Sequence, residues 1–216
     1  MESAAPPRHG GSMLVDTDIV AAGLRASPPE PLPFAPSLHI RSFVLERDAG
    51  DLLVYSTTTA TGDVWRQYLN HGHEAAFPPR AVKAPLFVHA ADRADAEATM
   101  PVRAAFSRRH VLDDDFEVIP TPGHTPGATA YLWESGGRRF LFTGDTIFLR
   151  GGEWTAAVLH SSARGAYLES LTLLRDLEFD VLVPWAASAG GPFYAATDRA
   201  DAHRRIGAII DDIWSG

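Results

Sequence analysis

The chain contains no cysteine, which excludes disulfides and leaves His, Asp and Glu as the only side chains able to hold a metal. It has no uninterrupted apolar run near the roughly 18 residues that a membrane span requires. It also lacks an excess of positive charge. The formal net charge is -8 and no Lys/Arg-rich run offsets it, which argues against a nucleic-acid backbone or an anionic membrane as the main partner. No internal repeat occurs at fixed period. The first residues, Met1 to Ser12, carry no apolar stretch of the kind a signal peptide needs and read as a flexible tail, so a cytoplasmic location is the expectation.

What is present describes an ordinary globular protein: 216 residues, 45% hydrophobic and 21% charged. We expect a tail over residues 1–15 and a single domain over 16–216. Proline-rich residues 27–36 cannot form a helix or a central strand, since proline fixes φ and removes a donor. Leu38–Leu45 and Leu52–Ser56, separated by Asp48-Ala49-Gly50-Asp51, read as a hairpin. Val64–Leu69 and Pro85–His89 are further strands, the latter followed by a helix from Ala91 to about Ala98. Phe116–Pro120, Ala128–Trp133 and Arg139–Phe142 form a second cluster, with a turn at Ser135-Gly136-Gly137. Arg164–Leu177 is amphipathic, with Tyr167, Leu168, Leu171, Leu174 and Leu177 at helical spacing. Phe179–Val183 is an apolar strand, and Thr197–Trp214 a terminal helix. Strand clusters that each precede helices suggest two face-to-face sheets with helices outside, the connecting loops meeting at one edge.

Chemistry concentrates in three segments: His71-Gly72-His73, Thr121-Pro122-Gly123-His124-Thr125-Pro126-Gly127, and Thr143-Gly144-Asp145-Thr146. On an extended segment, side chains at i and i+2 share a side, so His71 and His73 can share one ion. His124 lies in a turn fixed by two prolines and two glycines. Asp145 ends an apolar strand, where its carboxylate can reach a cation or orient water. Three imidazoles and a carboxylate are the donor set of a catalytic zinc site with room for water. Glu74, beside His73, points away from the histidine pair if the segment is extended, and reads as a carboxylate either solvated or bracing the site from behind; a bend would make it a ligand or a base. His89 near Asp92 reads as a helix-start contact. Asp113-Asp114-Asp115 lacks calcium-loop spacing and reads as a solvated turn.

Together with Tyr167, Ser170-Leu171 and Asp180-Val181-Leu182-Val183-Pro184, these segments resemble the metallo-β-lactamase superfamily over about Leu38 to Pro192. The resemblance implies an α/β fold, a four-layered αββα sandwich. It also implies a first metal held by His71, His73 and His124, with Asp145 as the bridge to a second. Three ligands of that second metal are missing: Ala75, Ala76 and Ala186 stand at their positions, and Trp185 is large enough to fill the space. The expectation is therefore a mononuclear hydrolase, zinc-dependent or with iron or manganese instead, that activates water against an ester, thioester or related acyl bond of a small molecule. Asp145, Glu74 and His160 are its candidate catalytic residues. His160 is included because the resemblance places its loop near the site mouth, although an exposed loop histidine is the plainer reading. The alternative is a non-catalytic member that binds a metal or small ligand. Oligomeric state has no signal in the sequence.

Overall fold

Alternation along the central strands decides the architecture. In β11 (Thr129–Ser135) and β12 (Arg138–Gly144), Tyr131, Trp133, Phe140 and Phe142 face one core, while Ala130, Leu132 and Leu141 face another. β15 (Val181–Pro184) repeats the pattern, with Val181 and Val183 on the first side and Leu182 on the second. A strand whose two faces are both apolar must be covered on both sides, and each fully buried large side chain contributes about 1.5–3 kcal/mol.

The computed structural model describes residues 22–59, 62–80 and 83–215; the expected tail over residues 1–15, and His9 within it, lie outside them. One six-stranded sheet runs β1 (Leu24–Ala26), β4 (Phe43–Leu45), β5 (Leu52–Val54), β6 (Arg66–Tyr68), β7 (Leu86–His89) and β8 (Val102–Phe106). The facing six-stranded sheet runs β17 (Ala195–Ala196), β15, β12, β11, β10 (Phe116–Pro120) and β9 (His110–Leu112). Between them lies the aromatic core of Phe43, Tyr55, Tyr68, Phe116, Tyr131 and Phe142. Outside the second sheet, α2 (Arg164–Asp176) and α3 (Arg199–Ser215) close the other core with Tyr167, Leu171, Leu174, Ile206 and Ile209. Outside the first sheet, short α1 (Arg93–Glu97) covers Leu69, Leu86 and Val88 with Ala96. The layers are thus helix, sheet, sheet, helix, as expected.

A third sheet was not foreseen. It runs β14 (Glu153–Thr155), β13 (Phe148–Arg150), β16 (Ala186–Ser188), β3 (Ala35–Ile40) and β2 (Glu30–Leu32). Pro31 sits at its edge, where a missing donor is tolerated. The expected strand Leu38–Leu45 accordingly breaks in two. Arg41 N–H donates to the Trp185 carbonyl at 3.0 Å and Ser27 N–H to the Ser42 carbonyl at 2.8 Å, turning the chain from the third sheet into the first. Only β4 and β5 form the expected hairpin. The terminal helix begins two residues late because the Asp198 carboxylate accepts from Asp201 N–H at 2.8 Å, setting the N-terminus there. The Asp113–Asp115 turn is not merely solvated: Asp115 accepts from Arg47 Nε at 2.8 Å, and that guanidinium side chain is 1% exposed.

The register of β12 against β15 shifts between Phe142 and Gly144, leaving the Gly144 N–H without a ladder partner. Tyr55, just past β5 with φ 69°, supplies it. Its hydroxyl accepts from Gly144 N–H at 2.8 Å and donates to the Val183 carbonyl at 2.6 Å. Tyr55→Phe removes both bonds inside a buried core and should lower the free energy of unfolding by about 1–3 kcal/mol in a denaturant titration. A loss below about 0.5 kcal/mol, the scale of an indifferent surface change, would show that these backbone groups find other partners.

Candidate metal centre

Each histidine arrives on the loop that leaves the C-terminal end of a strand. His71 follows β6 in extended conformation (φ -154°, ψ 165°), and His73 lies in the 3-10 turn Gly72–Ala76. His124 occupies the turn between β10 and β11, and Asp145 follows Gly144 at the end of β12. Gly144 has φ 57°, and a Cβ there would overlap the Asn70 amide, so only glycine brings these two loops together.

The rings converge. Ligand atoms of His71, His73 and His124 lie within 4.8 Å of one another, the one such group among the described residues. The His71 ring is 5.1 Å from His73 and 4.8 Å from His124, centroid to centroid, and the rings are near-perpendicular. His71 and His124 are buried and His73 is exposed. The i, i+2 argument reached the right pair by the wrong route. The shared direction comes from an extended residue running into a tight turn, not from strand alternation.

The acceptors behind two of the rings fix their tautomers. His124 Nδ1 lies 2.7 Å from the Ala157 carbonyl, which can only accept, so Nδ1 carries the proton. His71 Nδ1 lies 3.1 Å from Asn70 Oδ1 and 3.2 Å from Glu74 Oε1. Asn70 donates its amide nitrogen to the Thr129 carbonyl, which leaves its oxygen facing His71. Both Nε2 atoms are therefore bare lone pairs, buried and without a hydrogen-bond partner among the described residues. Burial and mutual repulsion hold His71 well below the ordinary imidazole value. Burial lowers His73 and His124 as well; repulsion from His124 adds to the effect at His73 against nearby carboxylates, and the bond to the Ala157 carbonyl, then Asp92, partly compensates at His124. The imidazoles are neutral, as metal binding requires.

Asp145 Oδ2 lies 3.6 Å from His71 Nε2 and 3.7 Å from His124 Nε2. With neutral imidazoles these are not ion pairs. They approach the roughly 3.3 Å that separates two donors sharing one tetrahedral zinc. Asp145 Oδ1 is out of solvent and unpaired, although the side chain as a whole is 17% exposed. Burial lifts this carboxyl to about 7, with His73 pulling the other way. Orphaned Nε2 atoms, an unpaired carboxylate oxygen and neutral rings fit a divalent cation.

Glu74 neither joins the site nor is solvated. It is fully buried, and Oε1 accepts from Asn70 N–H at 2.8 Å and His71 N–H at 3.2 Å. The 3-10 turn folds it behind His71, where desolvation raises its carboxyl well above the ordinary value. It stands against the back of His71 and does not face the histidine cluster. His160 sits on an exposed turn and makes no hydrogen bond or ion pair among the described residues. Its loop reaches the site through other atoms, the Ala157 carbonyl and the Ser162 hydroxyl, which donates to the His124 carbonyl at 3.2 Å. Ala75 and Ala186 are buried and offer no donor for a second ion. The Trp185 indole stands 5.5 Å from the His71 ring and 5.6 Å from Phe77, held by its Nε1–H to the Ser56 carbonyl at 2.8 Å. The helix-start contact comes from His89 alone, whose Nδ1 accepts from Ala91 N–H at 3.2 Å. The Asp92 carboxylate turns inward to the histidine loops instead. Sequence reasoning missed that role, and Asn70 with it. The one available hint was an Asp at a strand-to-helix junction, which reads as a cap.

A helix–sheet–sheet–helix fold with a three-histidine cluster at the sheet edge narrows the class to which the chain can belong. The profile of the Metallo-beta-lactamase superfamily matches residues 73–186, more than half of the chain, and the chain belongs to that superfamily, whose members are mostly hydrolases. Over 76 residues it is 38% identical to the hydroxyacylglutathione hydrolase of Erwinia tasmaniensis, covering 35% of this chain and 27% of that protein. Over 52 residues it is 44% identical to the enzyme of the same name from Halorhodospira halophila, covering 22% and 19%. The matches thus span under a third of those relatives. Among solved structures, a metallo-beta-lactamase from Pontibacter korlensis superposes with TM-score 0.64 at 12% identity, covering 88% of this chain and 99% of that one. An archaeal metallo-beta-lactamase superfamily protein from Sulfolobus tokodaii gives 0.58 at 15% identity, covering 86% and 85%. At these identities the structures establish the fold alone.

The carboxyl of Asp145 sets a pH dependence. Below about 7 it is protonated in the metal-free protein, so an arriving cation must expel that proton. Zinc affinity should therefore fall about tenfold per pH unit below that point and level off above it, with about one proton released per ion in acid. The histidines, already below 6.5, add protons only at still lower pH. Calorimetry in buffers of different ionisation enthalpy measures this; an affinity unchanged across the range would exclude Asp145 from the ion's surroundings.

Proposed function

We propose that this protein is a mononuclear metal-dependent hydrolase, with zinc as the ion, acting on a thioester or related activated acyl bond of a small molecule. One observation carries the reading. His71 and His124 are fixed in the tautomer that leaves Nε2 bare, and with His73 their ligand atoms lie within 4.8 Å. A bound divalent ion supplies Lewis acidity at a carbonyl oxygen and acidifies water toward about 7.

The protein's own groups do the remainder. His71, His73 and His124 would hold the ion. Asp145 Oδ2 either completes the coordination or takes a proton from the attacking water, a task suited to a carboxyl near neutrality. The Asn70 side-chain oxygen keeps the His71 proton on Nδ1, Glu74 holds the His71 backbone N–H, and the Ala157 carbonyl fixes the His124 proton. With no ligands for a second ion at 75, 76 or 186, the leaving group receives little charge stabilisation, which favours thiolate and other good leaving groups. The local likeness to hydroxyacylglutathione hydrolases supports a thioester.

The same alanines favour a second reading, a metal-binding protein without turnover, and one experiment separates the two. Metal content of tag-free protein should be about one ion per chain, lost in His71→Ala/His73→Ala. Hydrolysis of a hydroxyacylglutathione thioester should fall by about 10²-fold or more in His124→Ala, the scale on which a lost polarising group registers. About two ions would overturn the mononuclear assignment, and none after reconstitution would overturn the metal centre. One ion without thioester or ester hydrolysis would establish the non-catalytic reading.

A further inference from the structure

We infer that Asp92 is a positioning residue that sets the distance between the His73 and His124 loops; the inference rests on the metal centre proposed above. Asp92 follows β7 in the 3-10 turn Ala90–Asp92 and is 1% exposed. Its carboxylate takes three donors from segments 20, 33 and 35 residues away in sequence. Oδ2 accepts from Gly72 N–H at 2.8 Å and from the Thr125 hydroxyl at 2.6 Å. Oδ1 accepts from Gly127 N–H at 2.7 Å. The first donor lies between His71 and His73; the other two lie just after His124. One acidic side chain thus ties together the loops that carry all three histidines.

The surroundings are shaped to admit this carboxylate. A Cβ on Gly127 would stand 2.6 Å from Asp92 Cγ and Oδ1, so only glycine lets the group approach the loop. The chemistry is equally particular. Three donors facing two oxygens require a pure acceptor, and an asparagine would turn its NH2 toward a donor it cannot bind.

The histidines depend on Asp92 unequally. The His71 ring rests on Asn70 through Nδ1 and its backbone N–H on Glu74, while the His124 ring rests on the Ala157 carbonyl through Nδ1. The His73 ring is exposed and has no hydrogen bond of its own among the described residues. Its placement comes from the backbone, and Gly72 N–H to Asp92 is the bond that ties that backbone to the His124 loop. Asp92 therefore acts on the site chiefly through His73.

The test is zinc affinity of the full chain by chelator competition, with the visible spectrum of the cobalt form and the melting temperature of the metal-free form. Asp92→Asn should bind zinc about 10–100-fold more weakly, the usual cost of losing a group that orients a metal ligand, with an altered cobalt spectrum. Thr125→Val removes one of the three bonds and should move both readings the same way by less. It carries the test if Asp92→Asn does not fold. The distinguishing measurement is coupling: in a His73→Ala background, Asp92→Asn should cost much less affinity than in the wild type. Variants that bind within about twofold of wild type with an unchanged cobalt spectrum would overturn the inference, as would an undiminished loss in the His73→Ala background. Wild type that takes up no ion would fail earlier, overturning the metal centre itself.

Discussion

Everything at this site follows from burying two imidazoles with their unprotonated nitrogens turned inward. A buried acceptor without a donor costs about 1–3 kcal/mol, and His71 Nε2 and His124 Nε2 are both in that state. A protein that needed the rings only as filler would turn them to reach a donor. Here the opposite is enforced. Carbonyl and carboxyl oxygens stand behind each Nδ1, and those oxygens are held by groups that cannot easily relax: a loop carbonyl at Ala157, an amide locked to Thr129, a carboxyl tied to two backbone N–H groups. A cation or a proton donor placed where the lone pairs meet would offset that cost.

Holding that arrangement requires both large sheets. His71 and His73 leave the first, His124 and Asp145 the second, and the aromatic core between them fixes the separation. Tyr55 joins the two at the critical place, reaching from the end of β5 to the register shift where β12 turns toward Asp145. A shift of this kind re-aims a side chain at a strand end, and the hydroxyl supplies the pairing that the ladder gives up there. Asp92 performs the corresponding task from the outer side of the first sheet. The site is thus braced from the core and from the periphery by different chemistry, an aromatic hydroxyl and a carboxylate.

How much of this the sequence discloses depends on the range of each signal. The alternation in β10 to β12 is local, and those strands lie where the pattern places them. The glycine-proline turn around His124 is local too, and so is its histidine. The third sheet is not. Its strands are three residues long at β2, β13, β14 and β16, too short for any period, and each exists because a partner distant in sequence pairs with it. Glu74 stays off the cluster, as the alternation reading has it, but a five-residue 3-10 turn in place of the extended segment buries it behind His71. Asp92 reads only as the neighbour of His89 in a helix-start contact, because local sequence offers it no other partner. Its partners are donors from two loops that only the folded sheets bring within reach.

The replacement of second-ion ligands is coherent, not scattered, which bears on what the protein can do. Ala75 removes a donor from the turn that bears His73, and Ala186 removes another where β16 begins. Trp185, between Pro184 and Ala186, presents its indole to the His71 ring and anchors it on the Ser56 carbonyl. Restoring a histidine at 186 alone would leave that indole in place, and restoring an aspartate at 75 would place a second carboxyl at a buried position beside Glu74, whose own carboxyl burial already pushes up. The apolar substitutions and the buried Glu74 support one another, so a second ion would demand several simultaneous changes. The proposed single-ion chemistry therefore follows from the packing around His71 as much as from the ligands that are missing.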